Sequence, residues 1–308
     1  MKKMVLGGEK ALVVPNIAVG CMRLCELSES ESEKFIKTAL ELNMNFFDHA
    51  DIYGGGKCEE LFGKALKKGS VKREDIILQS KCGIRPDVKT FDFSKEHILA
   101  SVDKILKRLN TDYLDILLLH RPDCLMEPQE VAEAFGKLHS EGKVRYFGVS
   151  NQNSYQLQLL QKYLHQKLIV NQLQLSVTES TLISAGVYVN MKNEGAINRD
   201  GSVLDYCRLN DITIQAWSPF QYGFFKGVFV GNPEFAELNA CLDKIAEKYG
   251  VNSTAIALAW ILRHPAGIQP VIGTMNLNRL RDCAAASEIY LTREEWYQIF
   301  AAAGNILP

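Results

Sequence analysis

Asp48, Lys81 and His120 each end a short apolar run, and Tyr53 lies five residues beyond Asp48. Ionisable groups at the ends of otherwise apolar segments need partners, and these four can supply one another. A carboxylate fixes an ammonium, and an ammonium beside a phenol favours the ionised phenol. At about 4 Å and an effective dielectric near 20, two such charges attract by ~4 kcal/mol. That predicts a Tyr53 held below the ordinary tyrosine range and able to give a proton near neutral pH. His120 would donate a hydrogen bond to a substrate oxygen and position it. Together the set protonates a carbonyl oxygen while another species attacks the carbonyl carbon. No cysteine, serine or metal nucleophile is evident, so hydride from a bound cofactor is the expected attacker. A Schiff base on Lys81, as in aldolase-type barrels, is the competing chemistry.

The elements that must position these groups follow from the hydrophobic pattern. Short strand-like runs cover residues 17–20, 45–48, 76–81, 114–120, 145–150, 168–172, 213–217 and 269–273. Amphipathic helical patterns alternate with them at 28–42, 59–68, 94–109, 128–141, 154–164, 203–209, 234–249 with 253–263, and 277–286, and a last one covers 292–303. Ser28 to Glu31 reads as a capping box, Ser94 as a helix N-cap, and Gly142 as a helix-closing glycine. Strands that each precede a helix are parallel, and this number of repeats predicts a single (β/α)8 barrel domain over residues 1–308. The open doubly wound sheet is the alternative, but it calls for a glycine-rich G-x-G-x-x-G turn that is absent. Residues 4–6 and 11–14, about Gly7-Gly8-Glu9, predict a hairpin plugging the barrel bottom.

The strand ends are polar or glycine: Gly20-Cys21, Asp48, Lys81, His120, Ser150-Asn151, Gln172, Trp217-Ser218 and Gly273-Thr274. In such a barrel all of them open onto one face, which hosts the active site. The plainer reading, that strands stop where polar loops begin, accounts for the serines and glycines but not for Asp48, Lys81 and His120. Gly54-Gly55-Gly56 reads as a tight turn for the Tyr53 loop rather than a phosphate cradle. Residues 185–201 read as an excursion that is either a lid or a surface loop.

The 308 residues balance 35 Lys and Arg against 36 Asp and Glu. A net charge of −1 gives no field to gather nucleic acid or an anionic membrane. The longest apolar stretch, residues 255–262, is far short of the roughly 20 residues that span a bilayer. No signal-peptide apolar region follows Met1-Lys2-Lys3. A soluble cytoplasmic protein is expected. The eight cysteines include no C-x-x-C, and the six histidines no H-E-x-x-H, so packed reduced thiols and no metal site are expected. Cys21 and Cys25 are the nearest pair for a redox role.

Phe47-Asp48-His49-Ala50-Asp51-Ile52-Tyr53-Gly54 resembles the signature of the aldo-keto reductases. Ser80-Lys81, Leu119-His120-Arg121-Pro122-Asp123, Gly148-Val149-Ser150-Asn151, Ala216-Trp217-Ser218-Pro219 and Val271-Ile272-Gly273-Thr274 are similar to that family's other blocks, in order, over nearly the whole chain. The bacterial NADPH-dependent branch is the one it looks like. The resemblance implies a (β/α)8 barrel that reduces aldehydes and ketones to alcohols. It implies Tyr53 as proton donor, Lys81 and Asp48 as its tuning pair, and His120 as the residue orienting the carbonyl. For the cofactor it implies Ser150, Asn151 and Gln172 on the nicotinamide carboxamide, Trp217 stacked on the ring, and Ser218 and Phe220 along the pyrophosphate. It further implies Gly20, Cys21, Met22, Asp48 and Gly273 around the nucleotide, with Thr274 and Arg279 at the 2′-phosphate.

Departures from the family pattern leave NADH use open beside NADPH. Gly273 stands where a lysine is common and Cys283 where an asparagine is common, leaving Arg279 the clear cation. His49 replaces a common threonine and reads as a structural neighbour held through its backbone. The chain ends soon after its last helix, which implies an open, permissive pocket. The expected partner is a small carbonyl compound, with the protein a monomer or weak homo-oligomer. A nicotinamide-binding regulatory or scaffold barrel with low turnover is the alternative function.

Overall fold

The structure, a computed structural model, describes residues 1–8, 12–69 and 71–307. The strands are β1 (Lys3–Leu6), β2 (Leu12–Pro15), β3 (Ala18–Gly20), β4 (Phe46–Asp48), β5 (Ile77–Cys82), β6 (Ile84–Arg85), β7 (Thr90–Phe91), β8 (Leu114–Leu119), β9 (Val144–Ser150), β10 (Leu168–Gln174), β11 (Thr213–Trp217) and β12 (Gln269–Ile272). The helices are α1 (Glu29–Glu41), α2 (Lys57–Lys67), α3 (Lys95–Leu109), α4 (Pro128–Ser140), α5 (Ser154–Gln161), α6 (Thr181–Val187), α7 (Val203–Leu209), α8 (Ala236–Tyr249), α9 (Ser253–Leu262), α10 (Leu277–Ala285) and α11 (Arg293–Ala302). Strands β3, β4, β5, β8, β9, β10, β11 and β12 pair in that order, all parallel, and β12 returns to β3 to close a barrel. The (β/α)8 expectation is met.

Local chemistry explains where the helices begin. Ser28 accepts from the Glu31 N–H at 3.3 Å while the Glu31 carboxylate accepts from the Ser28 N–H at 2.9 Å, the reciprocal capping box. Ser94 Oγ accepts from the His97 N–H at 3.3 Å, and Gly142 turns left-handed at φ 70° after α4. Asn153 and Thr292 make further capping boxes at α5 and α11. Helix α9 is apolar nearly all round because it is covered on nearly all sides. Its Trp260 stacks on Trp296 of α11 at 4.8 Å, each indole N–H donating to the other's carbonyl oxygen.

Strands β1 and β2 pair antiparallel. Leu6 and Val14 pack with Ala18, Phe46, Ile116 and Ile169, residues at or near the N-terminal ends of barrel strands. That places the hairpin where the sequence put it, closing the bottom, while its Glu9 and Ala11 lie outside the described residues. Two elements were not anticipated. The β6–β7 hairpin has strands too short for any period to show. Helix α6 occupies the beginning of the 185–201 excursion, which continues through a single turn at Glu194–Ala196.

Candidate active site

The C-terminal strand ends converge as expected. Lys81 is wholly buried on β5, and its Nζ donates to Asp48 Oδ1 and Oδ2 at 2.8 and 2.7 Å and to the His49 carbonyl oxygen at 2.8 Å. It also lies 3.1 Å from Tyr53 Oη. Asp48 is 2% exposed. The Tyr53 ring meets the His120 ring edge-on with centroids 6.0 Å apart. The loop carrying Tyr53 turns through Gly54, Gly55 and Gly56 at φ 58°, 65° and 93°, conformations costly for side chains. At Gly54 a Cβ would also come within 2.5 Å of Cys25 Sγ.

Electrostatics corrects one expectation. Burial pushes the Tyr53 phenol up from its ordinary value, and the Lys81 charge only partly opposes this. The resting group is a neutral phenol, not a pre-ionised one. Burial alone would lower the Lys81 pKa, but the Asp48 carboxylate and then Tyr53 offset it, so the ammonium is held above the lysine range. An ammonium held charged in this way is not a free amine nucleophile. Burial, Lys81 and Arg121 together hold His120 well below its ordinary value, so the imidazole is neutral. Among the described residues its buried Nδ1 has no partner.

Beneath this cluster runs a column of amides that the sequence reading missed. Gln79 Nε2 donates to Asp48 Oδ1 at 2.6 Å and to Gln215 Oε1 at 2.8 Å. Gln215 Nε2 donates to Gln269 Oε1 at 2.8 Å, and Gln269 Nε2 to the Pro15 carbonyl oxygen at 2.7 Å. Hydrogen bonds thus connect the bottom hairpin to the rim carboxylate. The signal was present in the sequence, since each glutamine stands in a barrel strand next to apolar residues. Gln172, expected at the nicotinamide, belongs to the same network here: its Nε2 donates to Asp48 Oδ1 at 3.2 Å and to Gln215 Oε1 at 3.0 Å.

The other expected cofactor residues group on the same rim. Ser150 Oγ donates to the Gln172 carbonyl oxygen at 2.9 Å and accepts from Asn151 Nδ2 at 2.7 Å. Asn151 Oδ1 accepts from Trp217 Nε1 at 3.1 Å, fixing the indole. Asn151 and Ser218 stand at φ 60° and 53°, left-handed backbone that is uncommon for residues other than glycine. Phe220 is half-buried, its carbonyl oxygen accepting from the Phe229 N–H at 3.1 Å. Gly20 pairs with Asp48 across β3 and β4, and the Cys21 N–H donates to the Asp48 carbonyl oxygen at 2.8 Å. Cys21 itself is fully buried, with its thiol pushed well up by burial, and acts as packing; Met22 beside it is exposed. Gly273 and Thr274 follow β12, and exposed Arg279 lies in the first turn of α10. A second cation missed by the sequence reading is nearby: a Cβ on Gly273 would meet Arg23 Nη2 at 4.0 Å.

Several remaining residues resolve as packing. Cys283 is fully buried. The His49 backbone is engaged, its N–H donating to the Gln79 carbonyl oxygen at 2.8 Å. Its ring packs edge-on against Phe62, both nitrogens are buried with no partner among the described residues, and burial brings its pKa down to about 3. A cavity of about 660 Å³ between the excursion and α11 contains none of the expected site residues. It lies away from this chemistry. Among the described residues no helix is long and apolar enough to cross a membrane.

Comparison with known proteins agrees with this geometry. An oxidoreductase of Bacillus subtilis (strain 168), YcsN, is 40% identical over 295 residues, covering 92% of each chain. A 6-dehydroglucose reductase of Agrobacterium fabrum is 33% identical over 304 residues, covering 95% of each. The crystal structure of an aldo/keto reductase from Klebsiella pneumoniae in complex with NADP and acetate superposes with a TM-score of 0.75 at 25% identity, covering 97% of this chain and 94% of that one. The sequence model of the aldo/keto reductase family matches residues 16–303, and the chain belongs to that family.

Proposed function

We propose that the protein is an NADPH-dependent carbonyl reductase that converts small aldehydes or ketones to alcohols, with Tyr53 as proton donor. One observation carries the reading: a buried ammonium, Lys81, joins the Asp48 carboxylate to the Tyr53 phenol at 2.7 and 3.1 Å. The rim fits a flat, anionic cofactor. It offers an indole face anchored by Asn151, two residues in left-handed backbone, and Arg23 and Arg279 on the adjoining segments. When bound, reduced nicotinamide supplies hydride to the carbonyl carbon.

The chain's own groups handle the proton. Tyr53, neutral at rest, hydrogen-bonds the substrate oxygen and releases its proton as negative charge develops there. Lys81 then stabilises the phenolate through the contact already in place, and Asp48 keeps Lys81 charged and aimed. Neutral His120 donates to the same oxygen and sets the carbonyl's orientation. Burial of the ammonium, the carboxylate and the glutamines beneath them excludes water from this relay. Arg279 and Thr274 favour the 2′-phosphate of NADPH, and Arg23 adds charge on the same side.

The test is a panel of aldehydes and ketones, 4-nitrobenzaldehyde among them, assayed for oxidation of NADPH and of NADH in parallel. Turnover with NADPH preferred is expected. A protein that binds the dinucleotide but does not oxidise it in the presence of any of these carbonyls would be a binding barrel instead.

A further inference from the structure

Arg121 follows His120 directly and is the one residue of the Leu119-His120-Arg121-Pro122-Asp123 block with a guanidinium. It is half-buried, yet no ion pair or hydrogen bond reaches its side chain among the described residues. Its neighbours are aromatic faces: the guanidinium carbon lies 5.6 Å from the Trp217 ring centroid and 5.8 Å from that of Phe224. Phe224 meets Trp217 edge-on at 6.1 Å, and Phe225 stacks over it at 6.3 Å. Both phenylalanines are more than half exposed. They are mouth residues rather than core.

Other partly buried arginines of this chain are held. Arg73 pairs with Asp115, Arg108 with Glu59, and Arg263 donates to the Leu291 carbonyl oxygen. A desolvated cation without an anion is costly to keep. Aromatic faces offset part of that cost but leave the five N–H donors unused. The charge of Arg121 is felt at His120, so the cation stands within electrostatic reach of the reacting centre.

We propose that Arg121 anchors a carboxylate carried by the carbonyl substrate, whose apolar, planar body lies against Trp217, Phe224 and Phe225. The inference rests on the reductase reading above and names its substrate class: aldehydes or ketones that also bear a carboxylate. A guanidinium fork binds carboxylate and phosphate alike. One guanidinium neutralises one charge, however, and a phosphate dianion among these rings would keep a charge uncompensated. That favours the carboxylate.

The experiment compares kcat/KM for 4-carboxybenzaldehyde, its neutral methyl ester and 4-formylphenyl phosphate at saturating NADPH, in the native protein and in Arg121→Met and Arg121→Lys. NADPH affinity is measured by direct titration in each. The native protein should prefer the carboxylate over the ester by roughly tenfold or more. Arg121→Met should collapse that ratio mainly through KM, Arg121→Lys should keep part of it, and NADPH affinity should stay within about twofold. A native protein that reduces ester and carboxylate equally well overturns the inference while leaving the reductase reading intact. So does a preference for the phosphate, or an Arg121→Met defect that appears as lost NADPH affinity. A native protein that reduces none of the three overturns both.

Discussion

Two buried carboxylates stand at opposite ends of the barrel wall. Asp115, near the start of β8, accepts from Arg73 at 2.7 Å, Arg145 at 3.1 Å and the Leu78 N–H at 2.9 Å. Both guanidiniums lie over the Tyr113 ring, at 3.7 and 3.9 Å. Arg73 spends its other donors on Thr111, Ile76 and Tyr113. That cluster is closed. Asp48, at the C-terminal end of β4, is bonded as fully, but its partner Lys81 also contacts a phenol beside a histidine whose Nδ1 has no partner among the described residues. Burial and ion pairing are common to both ends, so neither marks function by itself. The difference is a donor set that stops short of completion where the barrel opens.

The comparison can be broken at several points, the strongest first. Tyr53→Phe should lower kcat by roughly 10²- to 10⁴-fold with NADPH affinity and melting temperature nearly unchanged. Near-normal turnover would remove Tyr53 as the proton donor. Next are the carboxylate clusters. Lys81→Met strands the Asp48 charge and should cost roughly 3–5 kcal/mol of stability along with activity. Asp115→Asn should cost about 3 kcal/mol by chemical denaturation and leave the kcat of the folded protein unchanged. If Asp115→Asn abolished turnover, the two ends would not be functionally separate. Smaller again is Arg279→Ala, expected to weaken NADPH roughly tenfold more than NADH; equal losses would place the 2′-phosphate elsewhere, with Arg23 the next residue to change.

The smallest effect concerns Asp51, between Asp48 and Tyr53 in sequence. Burial first, then Glu59, push its carboxyl up to about 7, against Arg108. The folded state therefore binds a proton that the unfolded state has already lost, and stability falls as pH rises from the ordinary carboxylate range through about 7. Asp51→Asn should raise the melting temperature by a few degrees at pH 8 and by much less at pH 5. His49 acts in the other direction: its pKa of about 3 means that stability is lost as pH falls from the ordinary histidine range toward that value. In the Asp51→Asn background, where the opposing carboxyl is gone, a melting temperature that stays flat from pH 7 to pH 4 would contradict the buried, neutral ring.

Much of the fold was legible because parallel strands buried on both faces and amphipathic helices carry different periods, and every barrel strand was found within a few residues of its true bounds. The rim was legible because Asp48, Lys81 and His120 are ionisable where apolar residues belong. Gln79, Gln215 and Gln269 broke the same rule more quietly, since an uncharged amide inside a strand suggests no partner until the strands are closed into a ring. The short hairpin β6–β7 and helix α6 fell below the length at which a period can be counted.

From sequence alone came the residue types, their order along the chain, and the fact that each stands at a strand end. Those are properties of local pattern, and local pattern persists however the chain is folded. Burial and proximity do not. Whether Tyr53 rests as phenol or phenolate depended on desolvation against one ammonium 3.1 Å away. Whether Arg121 would find a counter-ion depended on which loop packed above it. Both are sums over neighbours distant in sequence, and only closure of the barrel supplied the terms.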